Sequence, residues 1–151
     1  MPDFVISVLI DAPVSEVFHF HERADALALL TPAFPKVRMI SRTGGIEAGA
    51  RVELRVGVFR WVALHTAYEK DRLFVDEQIH GPFETWVHRH EFEALGAKTR
   101  LTDRVAYELP GGSLVNMLFG WIVNLGLGNM FAHRHRVTKE VCEKHSTSEA
   151  L

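Results

Sequence analysis

Residues 85–92 carry an alternation of side chains that constrains the fold more than any other feature of this chain. On one face of the strand that this alternation predicts, two histidines lie between two large aromatic residues: Trp86, His88, His90 and Phe92. The residues between them end in Arg89 and Glu91, so the opposite face is expected to point to solvent. A buried imidazole needs hydrogen-bond partners for both ring nitrogens, and an ordinary apolar core does not supply them. The inward face is therefore predicted to be either a polar-lined cavity or a reactive site.

The next strand supplies a partner for these histidines. Residues 99–109 also alternate, and Asp103 is the only charged residue on their otherwise apolar face. Gly96 stands at the first central position of the turn between the strands, where it suits a two-residue type II′ hairpin. Pairing outward from this turn sets Leu95 against Lys98, His90 against Asp103, His88 against Val105, and Trp86 against Tyr107. Opposed Cβ atoms lie about 4.5–5.5 Å apart, so a hydrogen bond between His90 and Asp103 is predicted.

The rest of the chain predicts an α+β fold. Asp3–Ile10 is typical of a strand, and two short helices are predicted before Leu30. Six strands joined by tight turns follow, which predicts an antiparallel meander. A long helix from about Ser113 to Lys144 is the only large element left to cover the sheet. We therefore expect a single domain over residues 1–144, with a polar, frayed tail over 145–151.

One segment, Leu109–Ala132, has no charged residue and is long enough to span a membrane. Within it, small and polar residues recur every fourth position and form a stripe along a helix: Asn116, Gly120, Asn124 and Gly128. The large apolar residues, such as Leu118 and Trp121, fall largely on the other side. Asn is penalised at bilayer depth, so the pattern favours an amphipathic helix packed on a sheet and no transmembrane span.

Composition narrows the classes of function. A formal net charge of −2 gives no electrostatic reason to expect a nucleic-acid partner. The single cysteine, Cys142, excludes an internal disulfide and a cysteine-based zinc site, and we expect a free structural thiol. The N-terminus lacks the basic start and long apolar core of a signal peptide, so a cytoplasmic location is predicted.

The predicted element order resembles the helix-grip fold of the START/Bet v 1-like (SRPBCC) superfamily. In that fold a curved seven-stranded antiparallel sheet wraps a long C-terminal helix, and two short helices follow the first strand. Local features resemble a bacterial branch described as cyclase/dehydrase-like or cell-division-inhibitor-like: Ile10-Asp11-Ala12-Pro13, Gly81-Pro82-Phe83, and Thr99 with Asp103, Tyr107 and Pro110. The resemblance covers about residues 3–142. The superfamily includes lipid and hormone binders, polyketide cyclases, a chaperone activator and the catalytic domain of Rieske oxygenases, so the fold does not choose a function.

The resemblance implies a ligand pocket between the sheet and the long helix. The residues that we expect to line it are Phe83, Trp86, His88, His90, Phe92, Asp103, Tyr107 and Trp121. Space lined by aromatic rings and a few polar groups is typical of a small-molecule site. The alternative is that His90 and Asp103 satisfy each other in a filled core, because buried pairs of this kind are often structural.

Three functions remain open. The first is binding of a small hydrophobic molecule such as a lipid, without turnover. The second is a cofactor-free polyketide cyclase or dehydratase, in which His90 acts as base or acid, Asp103 fixes its tautomer, and His88 or Tyr107 polarises a substrate oxygen. The third is a protein-interaction module whose apolar helix docks on a partner or a membrane surface; this predicts an external apolar patch and no internal cavity. Exposed edge strands also leave a homodimer open.

A metal site is the least favoured interpretation of the same residues. His88 and His90 with Asp103 give two imidazoles and a carboxylate, a set that suits non-haem iron. Rieske oxygenases place their ligands differently, so the resemblance does not support this set, and we expect neither metal nor cofactor. Among the other histidines, His133 and His135 are predicted to be solvated near the helix end. His65 and His80 are further candidates for the pocket wall, and the Phe34-Pro35 and Gly81-Pro82-Phe83 loops for its mouth.

Overall fold

The computed structural model describes residues 3–33 and 36–150, with side chains as far as His145. Phe34 and Pro35, expected at the pocket mouth, therefore lie outside the described residues. The chain starts with strand β1 (Asp3–Ile10) and helices α1 (Val14–Glu22) and α2 (Ala26–Leu30). Six strands come next: β2 (Val37–Thr43), β3 (Arg51–Val56), β4 (Phe59–Glu69), β5 (Leu73–His80), β6 (Thr85–Leu95) and β7 (Lys98–Glu108). The last element is the long helix α3 (Ser113–Ala150).

The strands form one antiparallel sheet in the order β1-β7-β6-β5-β4-β3-β2. Strands β2 to β7 follow one another as a meander, and β1 adds to the outer side of β7. Helices α1 and α3 pack against the sheet, and α2 contacts α1 and α3. The prediction of an α+β helix-grip fold is confirmed. Helix α3 continues to Ala150, past its predicted end near Lys144.

The β6–β7 hairpin has the register that its turn predicted. Leu95 pairs with Lys98, His90 with Asp103, His88 with Val105, and Trp86 with Tyr107. Gly96 has a φ of 62°, a left-handed conformation that glycine adopts without a steric penalty and that opens a type II′ turn. The turn residue therefore sets which side chains of both strands face inward.

Helix α3 packs on the sheet through its stripe of small and polar residues. The hydroxyl of Tyr107 on β7 lies 2.6 Å from Oδ1 of Asn124 and 3.0 Å from the carbonyl oxygen of Gly120. Oδ1 of Asn116 accepts a hydrogen bond of 2.8 Å from the backbone N–H of Leu109. These contacts fix the rotation of the helix, so the glycine-bearing side faces the sheet.

The same rotation points large apolar side chains of α3 outward. Trp121 is 66% exposed, and the other members of this outer face are Leu114, Met117, Leu118, Phe119, Ile122 and Leu125. The expectation that Trp121 lines the pocket is wrong, because its side chain is exposed and is not among the residues that line the pocket. Ser113–His145 is also the one helix within the described residues whose length and composition would allow a membrane span, and 17% of its most apolar window is buried.

Two apolar clusters pack between the sheet and the helices. One surrounds Phe18 of α1, which is fully buried against Phe92 at a ring-centroid distance of 5.0 Å. Cys142 belongs to this cluster, and its burial raises the pKa of the thiol to about 12, consistent with the predicted structural role. The second cluster contains Trp86 and Phe131. Between them lies a group of histidines and carboxylates that contacts both.

We expect Tyr107→Phe to destabilise the protein by ~1–3 kcal/mol, because it leaves Asn124 and the Gly120 carbonyl without their buried donor. Urea unfolding measures the loss. The matched control is Tyr68→Phe, which removes a hydroxyl bonded to Glu22 at a half-buried position where water can replace it. A loss for Tyr107→Phe no larger than that of the control would contradict this role.

Candidate functional site

A pocket of about 250 Å³ lies between the sheet and the helices. Its walls are mostly apolar and come from β2 to β6, the loop before β6, α2 and α3. They include Leu27, Val52, Leu54, Trp61, Ala63, Phe83, Trp86, Leu127 and Met130. Polar side chains are few: Asp76, His88 and Arg134 are the charged or titratable residues among its lining. An apolar body with a few polar groups is the usual form of a small-molecule site.

The carboxylate of Asp103 joins three histidines behind this wall. Its Oδ1 lies 2.7 Å from Nε2 of His88 and 3.1 Å from Nδ1 of His90, and its Oδ2 lies 2.6 Å from Nε2 of His135. All four residues are buried. Burial alone would raise the pKa of Asp103, but the hydrogen bonds from the three histidines hold it well below its usual range. Asp103 is therefore ionised and accepts hydrogen bonds only.

His90 lies between two carboxylates. Its Nε2 donates to Oδ2 of Asp76 at 2.9 Å, while Nδ1 faces Asp103. Burial alone would lower the pKa of His90, but the two carboxylates raise it above its ordinary value. Burial would likewise raise the pKa of Asp76, yet the hydrogen bond from His90 and the nearby His88 bring it to about 2. The ring of His90 is also stacked on Phe74, with 3.8 Å between the ring centroids. The two carboxylates and this ring together fix the position of the imidazole.

His88 differs from His90 in the direction of its pKa shift and in its access to the pocket. Burial and the neighbouring His90 lower the pKa of His88 below its ordinary value, which favours the neutral ring at pH 7. Because the Asp103 carboxylate can only accept, the one ring proton of His88 lies on Nε2. Nδ1 then carries a lone pair. The structure thus presents a neutral imidazole with an oriented tautomer at the wall of the pocket.

Arg134 of α3 brings a positive charge to the same wall. It borders the main pocket and a second one of about 100 Å³ that His90 and His65 also line. Its Nε is buried without a hydrogen-bond partner among the described residues, and its guanidinium lies 5.5 Å from the ring centroid of Phe131. Burial lowers the pKa of Arg134, and the nearby carboxylates of Asp103 and Asp76 oppose this shift. An arginine remains charged, so this wall offers a cation with unused donors.

The structure places the expected site residues in different environments. Phe83, Trp86 and His88 line the main pocket, and His90 lines the smaller one. Phe92 packs in the core against Phe18, and Tyr107 is fully buried with its hydroxyl held by α3. The predicted His90–Asp103 contact is present, but Asp103 also contacts two further histidines. His65 is buried beside the smaller pocket, whereas His80 is exposed.

Sequence reasoning missed three residues of the site: Asp76, Arg134 and His135. The prediction that His135 is solvated is wrong, because it is 5% exposed and bonded to Asp103. A signal was present, since His135 continues at helical spacing the inward face that includes Leu127 and Phe131. Asp76 pairs directly with His88 across β5 and β6, but no turn signal in the sequence fixes that register.

Metal-ligating atoms converge at one place within the described residues. Asp76, His88 and His90 each offer one ligand atom, and these atoms lie within 4.8 Å of one another. The two nitrogens and one carboxylate oxygen form a set that divalent transition metals accept.

Solved structures that share this fold belong to proteins with different descriptions. The chain resembles the ZhuI aromatase/cyclase from Streptomyces sp. R1128 with a TM-score of 0.74 at 14% identity, covering 95% of this chain and 94% of that one. It resembles a START superfamily protein from Mycobacterium smegmatis with a TM-score of 0.67 at 14% identity, covering 94% and 97%. A nucleoside-diphosphate sugar epimerase from Corynebacterium glutamicum matches with a TM-score of 0.70 at 26% identity, covering 91% of this chain but only 28% of that one.

The family comparison is more specific than these likenesses of fold. None of the curated proteins compared with the chain matches it. Residues 10–132 match the family model described as polyketide cyclase / dehydrase and lipid transport, which accounts for most of the described sheet and the first half of α3. The chain therefore belongs to the polyketide cyclase/dehydrase and lipid transport family of the START-like helix-grip superfamily.

Proposed function

We propose that this protein binds a small, mostly apolar molecule carrying an acidic group in the pocket between the sheet and α3. The observation that carries the proposal is Arg134, a cation in an otherwise apolar wall whose buried Nε has no partner among the described residues. Leaving a buried donor unpaired costs about 1–3 kcal/mol, and more for a charged group. Because Arg134 also lines the pocket, a carboxylate or enolate on the ligand would pair with its guanidinium through charge-assisted hydrogen bonds.

The apolar part of the ligand would occupy the space lined by Leu54, Trp61 and Trp86. Large aromatic rings contribute much contact area at low conformational cost. The volume of about 250 Å³ limits the ligand to a small molecule or to one chain of a lipid. The family supports this class, because its description includes both lipid transport and polyketide chemistry.

Turnover is the second candidate, and His88 favours it. Its neutral ring borders the pocket and has Asp103 behind Nε2, which leaves Nδ1 free to accept a proton. A cofactor-free cyclase or dehydratase would therefore use His88 as the base, rather than His90, which lies between two carboxylates. Tyr107 would not polarise a substrate, because its hydroxyl is bonded to α3. If a ligand extracted from the protein loses water on renewed incubation with it, turnover is established.

The remaining expectations stay predictions. No feature of the described residues tests the cytoplasmic location, the homodimer or the lack of a nucleic-acid partner. The interaction-module alternative required an external apolar patch and no cavity. The outer face of α3 provides the patch, but the pocket is also present, so the binding proposal explains more of the structure.

Filling the pocket should weaken binding of a neutral apolar probe. We expect Leu127→Trp to weaken binding of N-phenylnaphthylamine at least about tenfold, or ~1.4 kcal/mol, because the indole would take the space of the probe. Fluorescence titration measures the affinity. The matched control is Leu125→Trp, the same change on the exposed face of α3. If the control weakens binding and Leu127→Trp does not, the probe lies on the outer face and the pocket proposal is wrong.

Arg134 should recognise the acidic group and not the apolar body. We expect Arg134→Met to weaken binding of anilinonaphthalene sulfonate about tenfold or more, because a charge-assisted hydrogen bond contributes ~1.5–3 kcal/mol. Binding of N-phenylnaphthylamine, the same skeleton without the sulfonate, should change little. Arg136→Met removes an exposed arginine of the same helix and serves as the control. An equal loss for both probes would indicate general damage to the pocket and contradict anion recognition.

A further inference from the structure

We propose that Asp76, His88 and His90 form a binding site for a divalent first-row transition-metal ion at the polar end of the pocket. The site would use one carboxylate oxygen and two imidazole nitrogens, and it needs no organic ligand to form. This inference goes beyond the proposed binding function and does not depend on it.

The distances suit a small ion. Oδ2 of Asp76 lies 2.9 Å from Nε2 of His90 and 3.7 Å from Nδ1 of His88. Ligands about 2.0–2.1 Å from a tetrahedral zinc ion are themselves roughly 3.3–3.4 Å apart. These two separations bracket that value, and all three ligand atoms lie within 4.8 Å of one another, so side-chain adjustments would bring them to coordination distance.

The hydrogen bonds of the site leave one nitrogen of His88 for an ion. Nε2 of His88 donates to Asp103, while Nδ1 lies 3.7 Å from Oδ2 of Asp76, too far for a hydrogen bond. The same Oδ2 accepts a hydrogen bond from Nε2 of His90, and a bound ion would replace that proton between the two atoms.

Asp103 orients both imidazoles from behind. Its Oδ1 contacts Nε2 of His88 and Nδ1 of His90, the nitrogens that would not bind the ion. Metal-binding histidines commonly donate their second ring nitrogen to a carboxylate, which fixes the tautomer and increases the basicity of the ligand. His135 holds the other oxygen of Asp103, so the supporting carboxylate is itself fixed. The sequence analysis combined His88 and His90 with Asp103 as possible metal ligands. In the structure, Asp76 would be the carboxylate ligand, and Asp103 would orient the two imidazoles.

The pocket would supply the remaining coordination positions. Asp76 and His88 both line it, so an ion held there would face the apolar space and not the packed core. Imidazole nitrogens favour Zn²⁺, Fe²⁺ or Co²⁺, whereas Mg²⁺ and Ca²⁺ prefer all-oxygen sites. Three protein ligands with an open position are typical of sites at which a metal meets a substrate. An ion on Nδ1 of His88 would take the lone pair that the cofactor-free mechanism needs.

The test is a titration of the chelator-treated protein with Co²⁺ and Zn²⁺. We expect one equivalent of Co²⁺ per chain, with visible d–d absorption from nitrogen and oxygen ligands, and displacement by Zn²⁺. Asp76→Asn and His88→Gln should each weaken binding at least about tenfold, since even a supporting residue of a metal site commonly contributes that much. Circular dichroism confirms that each variant is folded, and if Asp76→Asn is not, His88→Gln decides.

The control is Glu77→Gln, which removes a carboxylate from the next position of β5, on the opposite face of the sheet. It should bind Co²⁺ as the wild-type protein does. The proposal is overturned if the wild-type protein gives no Co²⁺ absorption or binds no Zn²⁺ in calorimetry. It is also overturned if the two site variants retain wild-type affinity, because the ion would then be held by other histidines.

Discussion

The ionised carboxylate of Asp103 is the interaction on which the rest of the site depends. It lies on β7 and receives its hydrogen bonds from β6 and from α3, so it links the sheet to the helix that covers it. A buried charge is costly unless it is paired and hydrogen-bonded, and here three imidazoles supply the partners. Without this carboxylate, the histidine rings would no longer have one fixed rotamer and tautomer. One contact between the sheet and α3 would also be lost.

The network has a second consequence at the pocket. Because Asp103 fixes the ring proton of His88 on Nε2, the opposite nitrogen is left as an acceptor at the pocket wall. Arg134 provides the complementary cation from α3. The polar end of this otherwise apolar pocket therefore has one hydrogen-bond acceptor (His88), one cation (Arg134) and one carboxylate (Asp76). Anion recognition by Arg134 and cation binding by Asp76 and His88 use different atoms, so one does not exclude the other.

Sequence rules predicted the structural features that depend on residues close together in the chain. Gly96 fixed the β6–β7 register, and with it the facing of His90 and Asp103, because a two-residue turn permits one pairing. The partners on other elements could not be obtained this way. Asp76 reaches the site through the pairing of β5 with β6, where the connecting loop carries no register signal. His135 required the rotation of α3, which Tyr107 and Asn124 determine, and the same rotation turned Trp121 outward.

The tautomer of His88 is the measurement that tests this account most directly. Long-range ¹H–¹⁵N correlation spectra of metal-free protein at neutral pH distinguish the two neutral forms and the cation of each histidine ring. The account predicts a neutral His88 ring protonated at Nε2, with a signal that changes in Asp103→Asn because its acceptor is weakened. A ring protonated at Nδ1, or a doubly protonated His88, would contradict it, since no lone pair would then face Asp76 and the pocket.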